Sequence, residues 1–282
     1  MNHADSNPQG PVLIVGGTGK TGRRVAERLQ ALNVPVRIGS RSASPSFDWE
    51  DPSTWAGALE GASAAYITYY PDVAMPGAPE AIDAFVKQAL AGGVRRLVLL
   101  SGRGEREAQR AEEALQASGA DWTIVRCSWF MQNFDEGVFV DSLLAGELAL
   151  PVSDMPEPFV DVDDIADVTV AALTDDKHIG QLYELTGPRM LSFAQAVEEI
   201  ADAAGREIPF VQIPMQAFAA GAAEQGMPPE IVEFLGYLFT EVLDGRNAYL
   251  ADGVQRALGR QPRDFADYTR RTAASDAWTP AT

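Results

Sequence analysis

The chain predicts an α/β fold: a doubly wound parallel sheet followed by a smaller, mostly helical C-terminal lobe. Three observations carry this. Short apolar runs alternate with amphipathic stretches of helical period through the first two thirds of the sequence, the pattern of parallel strands joined by crossover helices. The first strand ends in a glycine-rich turn that opens directly into a helix, as phosphate-binding turns do. After Gly187 the strand signals thin out and helical patterns broken by Gly and Pro take over.

Val12-Leu-Ile-Val15 is too short and too uniformly apolar for anything but a buried strand. Gly16-Gly-Thr-Gly19-Lys-Thr-Gly22 follows, and then a helix with Val25, Leu29 and Leu32 on one face. The glycines therefore sit where a strand becomes a helix. There, bare backbone N–H groups and the helix dipole attract phosphate, and a missing side chain lets the ligand approach. Gly19-Lys20-Thr21 also mimics the end of a nucleoside-triphosphatase loop. That loop requires a glycine at position 14, which is Ile.

Asn33 to Ile38 reads as the second strand, ending at Gly39-Ser40-Arg41-Ser42. An NAD site places an acid here for the ribose hydroxyls. Positions 36 to 42 hold no acid, while Ser40 and Arg41 supply a hydroxyl and a fixed cation for a 2′-phosphate. The expected cofactor is thus NADP(H), with NAD(H) the lesser alternative. Asp48 and Trp49 are candidates for the adenine, and Asp51 or Ser53 for the cap of the short helix that ends at Leu59.

Ala64 to Thr68 is the third strand, and Tyr69 and Tyr70 in the loop beyond it are candidate walls of the cofactor cleft or loop-packing aromatics. A helix from Glu80 to Ala91, a strand from Arg96 to Leu100 ending at Ser101, a helix from Glu105 to Ser118 and a strand from Trp122 to Val125 continue the alternation. Phe130 to Gly146 reads as largely helical, and Leu148 to Leu150 as a short strand. The acids of Asp161-Val-Asp-Asp164 open a helix running through Leu173, as caps and dipole partners. Gln181 to Leu185 returns to the sheet, and Ser192-Phe-Ala-Gln195 is a capping box for a helix to Ala204. A strand at Ile208 to Ile213 and helices from Met215 to Thr272 complete the chain. The expected organisation is a tail at 1–10, a nucleotide domain at 11–146 plus 160–187, and a substrate lobe at 147–159 plus 188–282.

The formal charge of −18 argues against nucleic acid or an anionic membrane as partner. One cysteine, Cys127, excludes an internal disulfide and a thiolate metal cluster, and no metal site is expected. With neither a long apolar run nor a secretory leader in view, a cytoplasmic protein is expected; a homo-oligomer is left open.

Val15 to Gly22, Ile38 to Ser42, Phe47-Asp-Trp49, Leu99-Leu-Ser101, Thr123 to Arg126, Trp129-Phe-Met-Gln-Asn133-Phe134, Phe159 to Ile165 and Tyr183 to Gly187, in that order and spacing, resemble the NmrA-like atypical short-chain dehydrogenases/reductases. They are most similar to the ergot-alkaloid iminium reductases of the agroclavine-dehydrogenase type and, less so, to the type-2 NAD(P)H:quinone oxidoreductases. The resemblance implies a Rossmann-type fold and phosphate contacts at Gly16, Thr18, Gly19, Lys20 and Thr21. It also implies 2′-phosphate contacts at Ser40 and Arg41, and adenine contacts at Asp48 and Trp49. Thr68, Ser101 and the segment Trp129 to Asn133 would lie near the nicotinamide. Tyr69, from its place in the loop after the third strand, is a further cofactor candidate, and Tyr70, Trp129 and Phe130 are candidate walls of the substrate pocket.

One departure is informative. The lysines are Lys20, Lys87 and Lys177, and none follows a tyrosine by four positions. The Tyr–Lys acid of most short-chain reductases is therefore missing, and neither His3 nor His178 replaces it. The catalytic residues stay unassigned. Reduction of a small molecule already activated for hydride, such as an iminium, quinone or conjugated carbonyl, remains. The alternative is a non-catalytic NADP(H)-sensing regulator.

Overall fold

The computed structural model describes residues 10–280. The chain divides into two compact units. The first comprises 10–127, 163–185 and 252–260; the second comprises 128–162, 186–251 and 261–280. Residues 128–146, expected in the nucleotide domain, belong to the second unit, and 252–260, expected in the lobe, to the first. Of the expected tail, 1–9 with His3 lies outside the described residues. Gly10 accepts a hydrogen bond from the Ser63 hydroxyl at 2.8 Å.

The first unit holds a six-stranded parallel sheet. Its strands are β1 (Val12–Val15), β2 (Val36–Gly39), β3 (Ala64–Ile67), β4 (Arg96–Gly102), β5 (Asp121–Cys127) and β7 (Gln181–Leu185). They lie in the order β2-β1-β3-β4-β5-β7, all in parallel register. The connections are α1 (Lys20–Ala31), α2 (Trp55–Leu59), α3 (Ala78–Ala91), α4 (Arg106–Ala117) and α6 (Val162–Thr174). Central strands are buried on both faces, which is why β1 and β3 carry no polar alternation. Chain order reverses between β1 and β3. In open parallel sheets ligands bind beyond the carboxyl ends of strands at such a reversal.

One face of the sheet packs Leu13, Ile67, Leu97, Leu99 and Ile124 against Trp55, Phe85 and Leu115 of the helices. Each such side chain contributes roughly 1.5–3 kcal/mol by leaving water. Helix α10 (Gly253–Leu258) lies against the edge strand β7. A Cβ on Gly253 would stand 2.2 Å from the Glu184 carbonyl oxygen, so only glycine permits that approach.

The second unit contains α5 (Val140–Ala145), β6 (Leu148–Leu150), α7 (Phe193–Ala204), β8 (Phe210–Gln212), α8 (Met215–Glu224), α9 (Pro229–Tyr237) and α11 (Phe265–Ala273). β6 and β8 form a separate two-stranded parallel sheet. The segment expected to be helical from Phe130 to Gly146 is helical only at Met131–Asn133 and in α5. Phe134 and Phe139 leave helical spacing to join an aromatic core with Phe159, Phe193 and Phe265. The capping box at Ser192 and Gln195 is present. No helix among the described residues is long and apolar enough to cross a membrane.

Candidate functional site

The glycine turn sits at the carboxyl end of β1, beside the reversal. Gly16 has φ +68°, the left-handed region that glycine tolerates. Its N–H donates to the Gly39 carbonyl at 2.9 Å, and its own carbonyl accepts from the Gly19 N–H at 2.9 Å. A Cβ on Gly22 would stand 2.3 Å from that same carbonyl oxygen, and a Cβ on Gly16 would stand 2.3 Å from Thr68 Oγ1. Gly19 is the N-cap of α1, with no side-chain cap and no acid in the first turn. The helix therefore offers its dipole and first N–H groups to a ligand. Bare backbone, an uncapped helix start and the absence of nearby carboxylates in that turn fit the diphosphate of a dinucleotide.

Thr68 and Trp49 brace this turn. The Thr68 hydroxyl donates to the Val15 carbonyl at 3.0 Å, and Trp49 Nε1 donates to the Thr68 carbonyl at 3.0 Å. The Trp49 ring packs among Phe47, Trp55, Tyr69 and Phe85. Tyr69 therefore belongs to an aromatic cluster, whereas Tyr70 is 76% exposed. Thr21 is buried, so its side chain faces inward. Beside it lie Tyr66 of β3 and Thr169 of α6, both fully buried, whose hydroxyls have no hydrogen-bond partner of normal geometry among the described residues. Burial pushes the Tyr66 phenol well above its ordinary range.

At the end of β2 the Ser40 carbonyl accepts from the Ala43 and Phe47 N–H groups, and the Ser40 and Ser42 hydroxyls lie 3.3 Å apart. Arg41 is exposed in this turn, and its guanidinium has no partner among the described residues. Asp48 Oδ1 accepts the Glu50 N–H at 3.1 Å, while its carbonyl accepts from Trp55 Nε1 at 2.7 Å. The cap of the next helical turn is Asp51, which takes the Ser53 N–H.

Ser101, at the end of β4, is 3% exposed and donates to Glu112 Oε1 at 2.5 Å. Glu112 also holds Arg126 through Nε at 2.9 Å and through Nη2. Arg126 reaches Glu184 at 3.7 Å, and Glu184 accepts from buried Arg103 at 2.8 Å. The Ser101 hydroxyl is thus engaged in a buried chain of charges across β4, β5 and β7. Sequence reading passed over this network. Its signal was an arginine and a glutamate, Arg126 and Glu184, paired in register near the ends of apolar strands. Asp72, in the loop after β3, was also passed over. Burial pushes its carboxyl up to about 6, against the opposing Ala74 N–H that donates to Oδ1.

The acids at the start of α6 do more than cap. Asp163 and Asp167 pair with Arg28 of α1 at 2.6 and 2.7 Å, and Asp164 and Asp167 pair with Arg260 at 2.7 and 2.6 Å. Asp161 instead holds Arg271 at 2.7 Å and Gln132 at 2.8 Å in the second unit. Trp129, Phe130 and Asn133 are in that unit too. Trp129 packs on Phe139, Phe193 and Phe239, Phe130 bridges Val160, and Asn133 closes a helical turn. Cys127 is buried, which pushes its thiol up and makes it a poor nucleophile.

Comparison with known proteins agrees with this geometry. A family described as NAD(P)H-binding matches residues 16–176, and the NmrA-like family matches residues 108–268. The chain is 33% identical over 282 residues to the uncharacterized oxidoreductase YesF of Bacillus subtilis, covering 96% of this chain and 97% of that one. It is 31% identical over 280 residues to the agroclavine dehydrogenase of Claviceps fusiformis, covering 91% and 95%. The NADPH-dependent quinone oxidoreductase of Escherichia coli, solved with NADPH, shares the fold with a TM-score of 0.75 at 18% identity, covering 92% of this chain and 99% of that one. The family matches and the full-length identity establish that this chain belongs to the NmrA-like family of NAD(P)H-binding oxidoreductases.

Proposed function

We propose that this oxidoreductase takes NADPH in its first unit and reduces an organic acceptor that is already electron-poor: an iminium, a quinone or a conjugated carbonyl. Gly16, Thr18, Gly19, Lys20 and Thr21 would hold the diphosphate. Ser40 and Arg41 would hold the 2′-phosphate, with Asp48 and Trp49 toward the adenine and Thr68, Tyr69 and Ser101 toward the nicotinamide. When bound, the reduced nicotinamide supplies a hydride. Arg41 supports NADPH over NADH because its guanidinium has no partner among the described residues and no acid lies between positions 36 and 42.

The choice of acceptor rests on one observation: the Tyr–Lys pairing that acidifies a phenol is missing. No lysine stands four residues after a tyrosine. Moreover, Tyr66, Tyr69, Tyr183 and Tyr268 all have their phenol pKa pushed up, in each case chiefly by burial. A phenol that donates a proton during ketone reduction needs the opposite shift. An iminium carbon carries its own positive charge and asks for no proton. A quinone reduced by hydride leaves a stabilised oxyanion that water protonates. The protein's part is then orientation and exclusion of water.

The test is NADPH oxidation, followed by absorbance, over cyclic iminium ions, quinones, conjugated enones and simple ketones. Turnover of any of the first three classes with negligible ketone reduction is expected. Ketone reduction as fast as the others, or no turnover by a protein that demonstrably binds NADPH, overturns the reading; the latter would favour a sensor.

A further inference from the structure

Among the described residues β6 and β8 form a sheet of two, so β6 has an edge with no strand beside it. In a parallel pair, alternate residues turn both backbone groups to the partner strand. Leu148 and Leu150 do so. The Leu148 N–H donates to the Pro209 carbonyl at 3.1 Å, and the Leu150 carbonyl accepts from the Ile213 N–H at 3.1 Å. Ala149, between them, therefore turns its N–H and C=O away from β8. Neither group has a hydrogen-bond partner among the described residues.

That edge borders a cavity of about 330 Å³. All three β6 residues line it and no β8 residue does, which places it on the side of β6 turned from β8. Helices α5, α8 and α9 supply much of the remaining wall, and Phe139, Phe218, Leu235 and Phe239 are its large apolar groups. Trp129 fixes two of these, stacking on Phe139 at 6.3 Å and on Phe239 at 5.8 Å between ring centroids. Phe239 sits in a π-helical turn, Leu238–Val242, a feature that recurs at functional sites. Position 221, inside α8, is glycine, and a Cβ there would meet nothing within 4 Å, so the missing side chain leaves room. Helices disfavour glycine by about 1 kcal/mol relative to alanine.

The one charged side chain of the lining, Glu147, is exposed. No countercharge is buried in the wall, so an ion entering it would lose hydration without compensation. An uncharged ring loses little and suits aromatic walls. The volume is at the lower end of small-molecule sites and fits about two fused rings. The N–H and C=O of Ala149, coming from one residue, call for an acceptor and a donor side by side.

We propose that this cavity binds an uncharged, flat lactam or cyclic imide. The ligand carbonyl accepts from the Ala149 N–H, and the adjacent ligand N–H donates to the Ala149 carbonyl. The site lies wholly within the second unit and is independent of the reductase reading.

Binding is measured by titration calorimetry without NADPH. The probes are quinolin-2(1H)-one and its N-methyl derivative, which keeps the rings and the carbonyl but has no N–H to donate. The lactam should bind saturably, and the N-methyl form at least threefold more weakly, as expected when one hydrogen bond is lost. Gly221→Phe fills the space and should weaken both probes at least tenfold. Ala149→Pro removes the N–H on the edge away from β8, where proline leaves the ladder intact, and should weaken the lactam by about three- to tenfold. Circular dichroism and a melting curve verify the fold of both variants. If Ala149→Pro does not fold, the N-methyl comparison decides the pairing. No saturable binding of the lactam, or binding that Gly221→Phe leaves unchanged, overturns the site. Equal affinity for the two probes, or a folded Ala149→Pro variant that binds the lactam as tightly as the wild type, overturns the pairing with Ala149.

Discussion

Gly22 has no room for a side chain: a Cβ would stand 2.3 Å from the Gly16 carbonyl and 2.8 Å from Gly17 Cα. Neither neighbour can yield, because Gly16 is tied to Gly39 through its N–H and to Gly19 through its carbonyl. Gly22→Ala should therefore push α1 off the turn, lowering stability by about 1–3 kcal/mol and NADPH affinity with it. Chemical denaturation and a cofactor titration check both; an unchanged affinity would show that the turn does not hold the cofactor. Arg41 poses a cleaner question, because it touches nothing that the fold needs. Arg41→Ala should weaken NADPH by roughly tenfold to a hundredfold through loss of a charge-assisted hydrogen bond, while NADH affinity stays level. Equal losses for both cofactors would remove Arg41 from the 2′-phosphate site.

The strands β4, β5 and β7 are joined by more than their ladders. Ser101, Glu112, Arg126, Glu184 and Arg103 run as one chain of hydrogen bonds and ion pairs, and Glu112 is 3% exposed. Truncating Glu112 takes from Arg126 the carboxylate that its Nε and Nη2 both bind. Glu112→Ala should destabilise by about 3–5 kcal/mol, as expected when one partner of a buried pair is removed. Ser101→Ala should cost about 1 kcal/mol, the value of one hydrogen bond. Denaturation midpoints would separate the two, and equal losses would contradict Glu112 as the centre of the network. Between α6 and β7, His178 is fully buried, its Nδ1 2.8 Å from the Tyr183 hydroxyl and its Nε2 without a partner among the described residues. Burial, then the charges of Lys177 and Arg96, lower its pKa from 6.5, against the opposing Asp175. The unfolded chain therefore takes up this proton at higher pH than the folded one. Stability is fully present above about pH 6.5 and falls as the pH drops below it. A His178→Gln variant should lose that slope; an unchanged slope between pH 7 and 5 would assign it to other groups.

Across the whole chain, a charge of −18 does not preclude the proposed anion site, because backbone dipoles at the start of α1 and the exposed Arg41 would act locally. A ligand that binds only the folded state stabilises by mass action, about 2.7 kcal/mol at a hundred times Kd. Saturating NADPH should therefore raise the melting temperature by several degrees, and NADH by less at the same concentration. A melting curve indifferent to both would contradict dinucleotide binding outright.

Local chemistry made much of this legible in advance. The strand–glycine–helix turn, the arginine in place of an acid after β2, the capping box at Ser192 and the alternation of β1 to β5 with helices all follow from propensities and periods written in adjacent residues. Pairing between distant residues was not legible. The acids opening α6 read as caps, yet they hold Arg28 and Arg260, because ion pairs depend on which helices lie side by side. Residues 128–146 read as a continuation of the first unit, yet Phe134 and Phe139 pack in the second. Leu148 to Leu150 and Ile208 to Ile213 read as strands with no partner assigned, and only the folded chain shows that β6 and the shorter β8 pair with each other. Hydrophobic burial is non-directional, so an apolar residue names its need for a core but not which core it enters.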